Sequence, residues 1–241
     1  MIYKDSRGLY GISSFARLPV TAAYSCRVLG DMRIDSSRET FLRLVGSESK
    51  DLIMARQIHG VRVVVVSRRE RGKTLAETDG LVYRKDDAPV VLGVSYADCA
   101  PLLAVDPRAN VIGVAHAGWR GTLNGIADEL IQTMVGAGCT AQNIRVSIGP
   151  HIGMCCYSVQ ESRVREFQKR FGTDEKIAVK IGGVWHLDIG YANYVQLLEA
   201  GITKEHIDVP VTCTSCQVSE FNSFRKDTKE TFGVQLGIIR F

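Results

Sequence analysis

No apolar stretch in these 241 residues approaches the roughly 20 that a membrane span requires. The opening segment MIYKDSRGLYGISS has no basic run leading into an apolar one, so it does not read as a secretory signal. These two absences make cytoplasmic localisation, with no membrane partner, the expectation. Sustained heptads, short repeats, low-complexity tracts and Pro/Ser-rich linkers are missing too. Coiled-coil, collagen-like and disordered classes are therefore excluded, and nothing marks a place to divide the chain. One domain over residues 1–241 is expected. Charge of one sign is also scarce, since Lys+Arg 30 against Asp+Glu 26 leaves a formal +4. The densest basic cluster, Arg68, Arg69 and Arg71, has Glu70 inside it and reads as a solvated loop, so no nucleic-acid partner is expected.

What is present is ordinary globular composition, 45% hydrophobic and 23% charged. Seven cysteines in a reducing compartment do not make a disulfide framework, and an odd count leaves one unpaired. They must serve as core residues, nucleophiles or metal ligands. Short β-branched or apolar runs at residues 61–66, 90–95, 101–105, 111–115 and 144–149 predict strands. Helices are marked by caps and by 3.6-residue periodicity. The boxes Ser36-Ser37-Arg38-Glu39 and Ser158-Val159-Gln160-Glu161 each precede such a pattern, the second closed by Gly172. Ile126, Leu130 and Met134 share a face that ends near Gly136, and Asp188 can cap a helix through Glu199. The elements do not alternate strictly, so the class is α+β or mixed α/β with chemistry on the loops of the sheet.

Three segments at predicted strand ends concentrate reactive groups: Gln57-Ile58-His59-Gly60, Ala97-Asp98-Cys99-Ala100-Pro101 and His116-Ala117-Gly118-Trp119-Arg120-Gly121. If they converge, His59, Cys99 and His116 form a two-imidazole, one-thiolate set. Such a set suits zinc, with a fourth position left for water or substrate. Taken singly, a cysteine between apolar strands also fits core packing, and each histidine fits a hydrogen-bonded structural role. The third segment runs from a strand into a helix, where free N–H groups and Arg120 favour an anion. Trp119 suits either stacking on a flat ring or plain packing.

The motifs QIHG, TDGLV, ADCAPLL, GVAHAGWRGT and IGPHIGMCCYSV, in that order across residues 57–159, resemble the YfiH-like family, labelled laccase-domain or polyphenol oxidase and described as purine nucleoside phosphorylases. The resemblance implies an α+β fold of four layers, α/β/β/α, with mixed sheets. It implies a zinc site whose ligands fall on His59, Cys99 and His116. It also implies purine nucleosides and phosphate as partners, with phosphorolysis of adenosine, inosine and methylthioadenosine and deamination of adenosine. Asp79 fits the family's ADG-like segment, Cys213-Thr214 its late CT pair, and Ser223-Phe224-Arg225 its Ser-aromatic-Arg element, which makes Arg225 a candidate for substrate or phosphate. His151, in the loop Gly149-Pro150-His151-Ile152-Gly153, is a further candidate for substrate or proton transfer. Ser158 departs from the Glu common in the family after Cys-Cys-Tyr, and the usual second Arg and Thr-Gly-Arg are missing near the end. His186 and His206 have no supporting motif.

Two other functions remain open. Cys99 with His116 as its base describes a hydrolase, such as one acting on amide bonds of cell-wall precursors. Alternatively, Cys155-Cys156 and Cys213-Thr214-Ser215-Cys216 form a structural zinc site in a non-enzymatic interaction protein. With no second C-x-x-C pair, core packing is the expected role of these cysteines. Copper is possible at the two-His, one-Cys set. A multicopper centre is not expected, because it needs many imidazoles and the chain has five. No obligate protein partner is inferred.

Overall fold

In the chain's computed structural model, which describes residues 2–209, 212–228 and 230–241, the β-branched and apolar runs become strands of two stacked sheets, with the run at 61–66 as an edge strand. In chain order the elements are β1 Ile2–Lys4, β2 Tyr10–Ile12, β3 Thr21–Tyr24, α1 Asp35–Leu44, β4 Leu52–Ala55, β5 Val63–Val66, β6 Thr74–Leu75, β7 Gly80–Arg84, β8 Val91–Tyr96, β9 Ala100–Asp106 and β10 Val111–Ala117. Next come α2 Trp119–Asn124, α3 Ile126–Gly136, β11 Arg145–Ile148, β12 Ser158–Val159, α4 Glu161–Phe171, β13 Ala178–Ile181, β14 Val184–Leu187, α5 Ile189–Glu199, β15 Ile207–Asp208 and β16 Gln235–Arg240. One sheet has the order β1-β2-β3-β16-β8-β4-β6 and the other β15-β11-β9-β10-β7-β5, with a small third sheet β12-β14-β13.

Period-two alternation explains the stacking. Leu103 and Val105 of β9, with Ile112 and Val114 of β10, face Tyr24, Ile53 and Leu92 between the two large sheets. Their neighbours Leu102, Ala104, Val111 and Ala115 point the other way, onto Leu130 and Met134 of α3 and Leu197 of α5. Both strands are buried at every residue, which is why they read as unbroken apolar runs in the sequence. On the far side of the first sheet, Phe41 and Leu42 of α1 pack on Leu52, Val91, Leu236 and Ile238. Three cores thus separate four layers, helix, sheet, sheet and helix, as the family resemblance implies. No described helix is long and apolar enough to cross a membrane.

Two caps differ from expectation. α1 begins at Asp35 with Ile34 as its cap residue and no side-chain cap, so the Ser36 box lies inside the first turn and does not form. Asp35 instead pairs with Arg38, and docking of Phe41 and Leu42 sets the helix. Ser158 and Val159 pair with His186 and Trp185 as β12, which delays α4 to Glu161. In both places tertiary pairing outweighs a local capping bond worth about 1 kcal/mol. The remaining signals hold: Gly172 ends α4 with φ 76°, and the Asp188 carboxylate accepts from the Tyr191 N–H at 2.8 Å at the start of α5.

The docking of α1 yields a prediction. Phe41→Ala removes a side chain with no exposed surface and is expected to lower stability by about 3–5 kcal/mol in urea unfolding. A loss within ~0.5 kcal/mol, the range of an exposed site, would mean that α1 does not seal the outer core.

A candidate metal centre in an arginine-lined cavity

Strand direction brings the three reactive segments together. β4 runs parallel to β8, so residues 57–60 and 97–99 leave the first sheet at the same end. β9 and β10 are antiparallel, with Pro101 opposite His116 and Ala100 opposite Ala117, so the end of β10 lies beside the start of β9. The ligand-capable atoms of His59, Cys99 and His116 all fall within 4.8 Å of one another. The two imidazole rings stand edge to face, 4.8 Å between centroids. His59 is exposed, Cys99 half-buried and His116 buried, so the cluster is open on one side.

Asp79, with no exposed surface, organises this set. Its Oδ1 accepts from the His59 backbone N–H at 2.9 Å and lies 3.1 Å from His116 Nδ1. Its Oδ2 accepts from the N–H groups of Gly60 at 2.8 Å and Ile58 at 3.2 Å. Burial pushes the Asp79 carboxyl up, but the bonds from His116, Gly60 and Ile58 outweigh it and hold it below the usual carboxylate range. An ionised Asp79 can only accept, so His116 carries its proton on Nδ1 and turns Nε2 to the cluster, the tautomer a metal ligand needs. His59 holds φ +63°, a left-handed conformation costing a non-glycine residue about 1–3 kcal/mol, and the three bonds from Asp79 to this loop offset the strain.

Charge in the cluster is shared between sulfur and imidazole. Burial raises the Cys99 thiol, yet His116 and then His59 pull it down to about 6. Burial lowers His116, but Cys99 and Asp79 push it up to about 9. At neutral pH this is a thiolate beside an imidazolium, and a cation that displaces the His116 proton gains three donors. Space for it is kept by Gly118, where an added Cβ would sit 2.8 Å from His59 Cδ2 and 3.1 Å from Cys99 Sγ. Donor types, tautomer and open side all fit a resident metal ion.

Cys99 is aimed by its neighbour. Asp98, at φ +77°, uses Oδ1 to accept from Thr214 Oγ1 at 2.6 Å, and Oδ2 to accept from Ser223 Oγ at 3.0 Å and the Arg225 N–H at 2.7 Å. Its own carbonyl accepts from the Ile152 N–H at 2.9 Å. Asp98 thereby ties the Cys99 turn to loops more than 50 and 110 residues away. Within the ADC motif the sequence alone assigns this residue no role, because its partners are remote.

The cluster opens into a cavity of about 810 Å³. Trp119, Tyr157, Ile152, Ile189, Phe224 and Phe232 give it an apolar lining, and Arg33, Arg56, Arg120, Arg163 and Arg225 add five guanidinium groups. Arg120 and Arg225 are where the sequence placed them. Arg120 and Arg163 both stack on the Trp119 ring, at 4.9 and 3.9 Å from its centroid. The Arg163 Nε is buried without a hydrogen-bond partner among the described residues. Arg163 is a site residue that sequence reasoning missed, since it lies on α4 and reads there as a solvated helix face. Arg225 bonds the Ser158 carbonyl at 3.1 Å and hydroxyl at 3.0 Å and lies 5.2 Å over the Tyr157 ring. Ser158 meets the Arg225 guanidinium with two neutral oxygens, where a Glu would have brought a negative charge.

His151 does not join them. It is buried outside the cavity lining, with Nδ1 2.8 Å from the Gly149 carbonyl and Nε2 3.8 Å from Asp188, where it braces the start of α5. α2 is only six residues long, so the anion-attracting character of this segment rests on Arg120 more than on a helix dipole. His186 bonds the Met154 carbonyl at 2.7 Å.

Replacing the Asp79 carboxylate tests this arrangement. Asp79→Asn places an amide where two backbone N–H groups point, and is expected to weaken retention of added zinc roughly ten- to a hundred-fold in a chelator competition. Unchanged affinity would show that Asp79 does not orient the cluster.

The family described as multi-copper polyphenol oxidoreductase laccase matches residues 30–241. Adenosine deaminase RL5, from an unknown prokaryotic organism, is 34% identical over 212 residues, which cover 83% of this chain and 80% of that protein. Purine nucleoside phosphorylase YlmD of Geobacillus stearothermophilus is 34% identical over 225 residues, 88% of this chain and 80% of its own. The crystal structure of the Bacillus licheniformis hypothetical protein YfiH superposes with a TM-score of 0.89 at 26% identity, covering 100% of this chain and 98% of that one. That of YlmD from Geobacillus stearothermophilus gives 0.88 at 29% identity, with 99% and 98% covered. A match that runs over nearly the whole chain, with relatives and structures agreeing, means that the chain belongs to the family described as multi-copper polyphenol oxidoreductase laccase, the YfiH-like proteins.

Proposed function

We propose that this chain is a zinc-dependent purine nucleoside phosphorylase acting on adenosine, inosine and methylthioadenosine, and that it also deaminates adenosine. The observation that carries the reading is the opening of a His59, Cys99, His116 donor set into a cavity that pairs aromatic walls with several guanidinium groups. An aromatic slot suits a purine and guanidinium groups suit phosphate, so both substrates of a phosphorolysis find matching chemistry. The names borne by relatives such as YlmD and RL5 agree with it.

In this reading Trp119, Tyr157 and Phe224 hold the base, while Arg120 and Arg225 hold phosphate and keep it against the anomeric carbon. Phosphate oxygen forms the new bond to that carbon as the bond to the purine nitrogen breaks. The purine takes the electron pair, and the proton given up by hydrogen phosphate balances it. Positioning and charge neutralisation by arginine carry most of the rate. His59, Cys99 and His116 would hold the zinc ion, which would supply Lewis acidity for both reactions. Zinc fits better than a multicopper centre because His151 and His186 are committed to the Gly149 and Met154 carbonyls, away from the cluster. Intense blue colour in the purified protein would favour copper at the same three residues.

One observation favours a second reading. Cys99, His116 and Asp79 follow one another as nucleophile, base and orienting carboxylate, with the thiol already pulled down to about 6. A metal-free thiol hydrolase of amide bonds would use these residues. Such an enzyme loses activity to a thiol alkylator and keeps it in a chelator, whereas the phosphorylase loses activity in both.

Two outcomes are expected. Adenosine or inosine with phosphate releases free base and ribose 1-phosphate in equal amounts, and neither product forms in an inert buffer or with Cys99→Ala. Base release at the same rate without phosphate, or with Cys99→Ala, would falsify the mechanism. Arg120→Ala is expected to raise the KM for phosphate roughly ten- to a hundred-fold, as loss of a charge-assisted contact of about 1.5–3 kcal/mol requires. Unchanged phosphate kinetics would remove Arg120 from the site.

A further inference from the structure

Four of the seven cysteines meet in a second place. Cys155 and Cys156 lie in one tight turn, closed by the Cys156 and Tyr157 N–H groups donating to the Gly153 carbonyl at 3.0 Å each. Cys213 and Cys216 lie in another, closed by the Cys216 and Gln217 N–H groups donating to the Cys213 carbonyl at 3.2 and 3.1 Å. A parallel bridge between His151 and Cys213, with the Thr214 N–H donating to the His151 carbonyl at 3.0 Å, lays the two turns side by side. All four sulfurs then fall within 4.8 Å of one another, and Cys216 Sγ is 3.4 Å from both Cys155 Sγ and Cys156 Sγ. The cluster is separate from the catalytic candidate, since none of the four lines the cavity.

These distances discriminate between chemistries. A disulfide needs sulfurs about 2.05 Å apart, far closer than these. Four thiolates at about 2.3 Å from one zinc ion stand roughly 3.8 Å apart at the corners of a tetrahedron, the scale seen here. The Gly153 N–H already donates to Cys213 Sγ at 3.2 Å, the kind of backbone bond that steadies a sulfur ligand. An adjacent Cys155-Cys156 pair on a tight turn presents two sulfurs as a C-x-x-C pair does, so a second C-x-x-C is not needed to complete the set. Cys155 and Cys216 are exposed and Cys156 half-buried, which is a poor use of three thiols as core.

We infer that Cys155, Cys156, Cys213 and Cys216 bind a second, structural zinc ion that staples the two turns together. The consequence for the cavity is direct. One turn continues into Tyr157 and Ser158, which carry Arg225, and the other contains Thr214, which holds Asp98 beside Cys99. The second metal positions walls of the cavity and touches no substrate.

Zinc itself is the probe, measured by elemental analysis on the full chain purified under reducing conditions without chelator. About two zinc ions per chain are expected, falling to about one in Cys155→Ser/Cys216→Ser and to about one in Cys99→Ala. The double variant is expected to lose thermal stability and to raise the nucleoside KM with little change in kcat, as a positioning role requires. A single zinc that the double variant retains would overturn the site, as would a disulfide joining Cys216 to Cys155 or Cys156 in that preparation. A single zinc that only the double variant loses would support the site and count against the catalytic zinc, so the two readings fail separately. Should the double variant not fold, alkylation footprinting of the unmodified protein decides. Protection of Cys155 and Cys216 that disappears with a chelator supports the site, and equal reactivity with and without zinc overturns it.

Discussion

A carboxylate sealed from water, Asp79, is the constraint on which the centre depends. It accepts from the three successive N–H groups of Ile58, His59 and Gly60 and meets the ring of His116, so one side chain fixes two of the three donors. Taking that charge out of water is costly unless every lone pair is used, and here they are. Its position follows from the sheet: Asp79 immediately precedes β7, and its carbonyl accepts from the His116 N–H at 2.8 Å where β10 runs alongside. A residue at the rim of a ladder whose β10 strand is buried throughout is held by the core, which lets the strained His59 loop persist.

Asp98 does for the third donor what Asp79 does for the other two. Its carboxylate gathers Thr214, Ser223 and Arg225, so the Cys99 turn and the C-terminal loops share one anchor. Two buried carboxylates, each facing donors from distant parts of the chain, thus bring His59, Cys99, His116 and Arg225 around one opening. The division of labour is sensible in physical terms. The sheets supply rigidity through apolar packing, and the loops they cannot reach are fixed by charge-assisted hydrogen bonds.

Much of this was legible beforehand. β9 and β10 announced themselves as apolar runs because both of their faces are buried, and α3 kept its periodicity because Ile126, Leu130, Ile131 and Met134 form one buried side. α5 kept its ends, but the face it buries is Ile189, Ala192, Asn193, Gln196 and Leu197, while Tyr191 and Val195 are half-buried and Leu198 is exposed. His59, Cys99, His116, Arg120 and Arg225 were all marked by residue type at strand ends or by family motifs. His151 was marked by the same logic and lies elsewhere, since a strand-end loop can turn its side chain back toward a helix as easily as into a cleft. Arg163 carried no signal because an arginine on an amphipathic helix looks the same whether it faces water or an indole ring. The Ser36 and Ser158 capping boxes misled for a related reason: each is a bond of about 1 kcal/mol that yields when a neighbouring strand or core claims the backbone.

The sequence by itself determined the elements with strong periodicity, the α+β class and the residue types of the centre, because burial and ligand chemistry write themselves into local composition. Only the tertiary structure decided which of those residues meet. Seven cysteines and five histidines can be grouped in many ways from sequence. The parallel pairing of β4 with β8 and the antiparallel pairing of β9 with β10 select one imidazole–thiolate cluster, and the bridge between His151 and Cys213 selects a four-sulfur one. Convergence of that kind depends on strand direction and register, which are set by packing between layers and leave no mark at the positions they bring together.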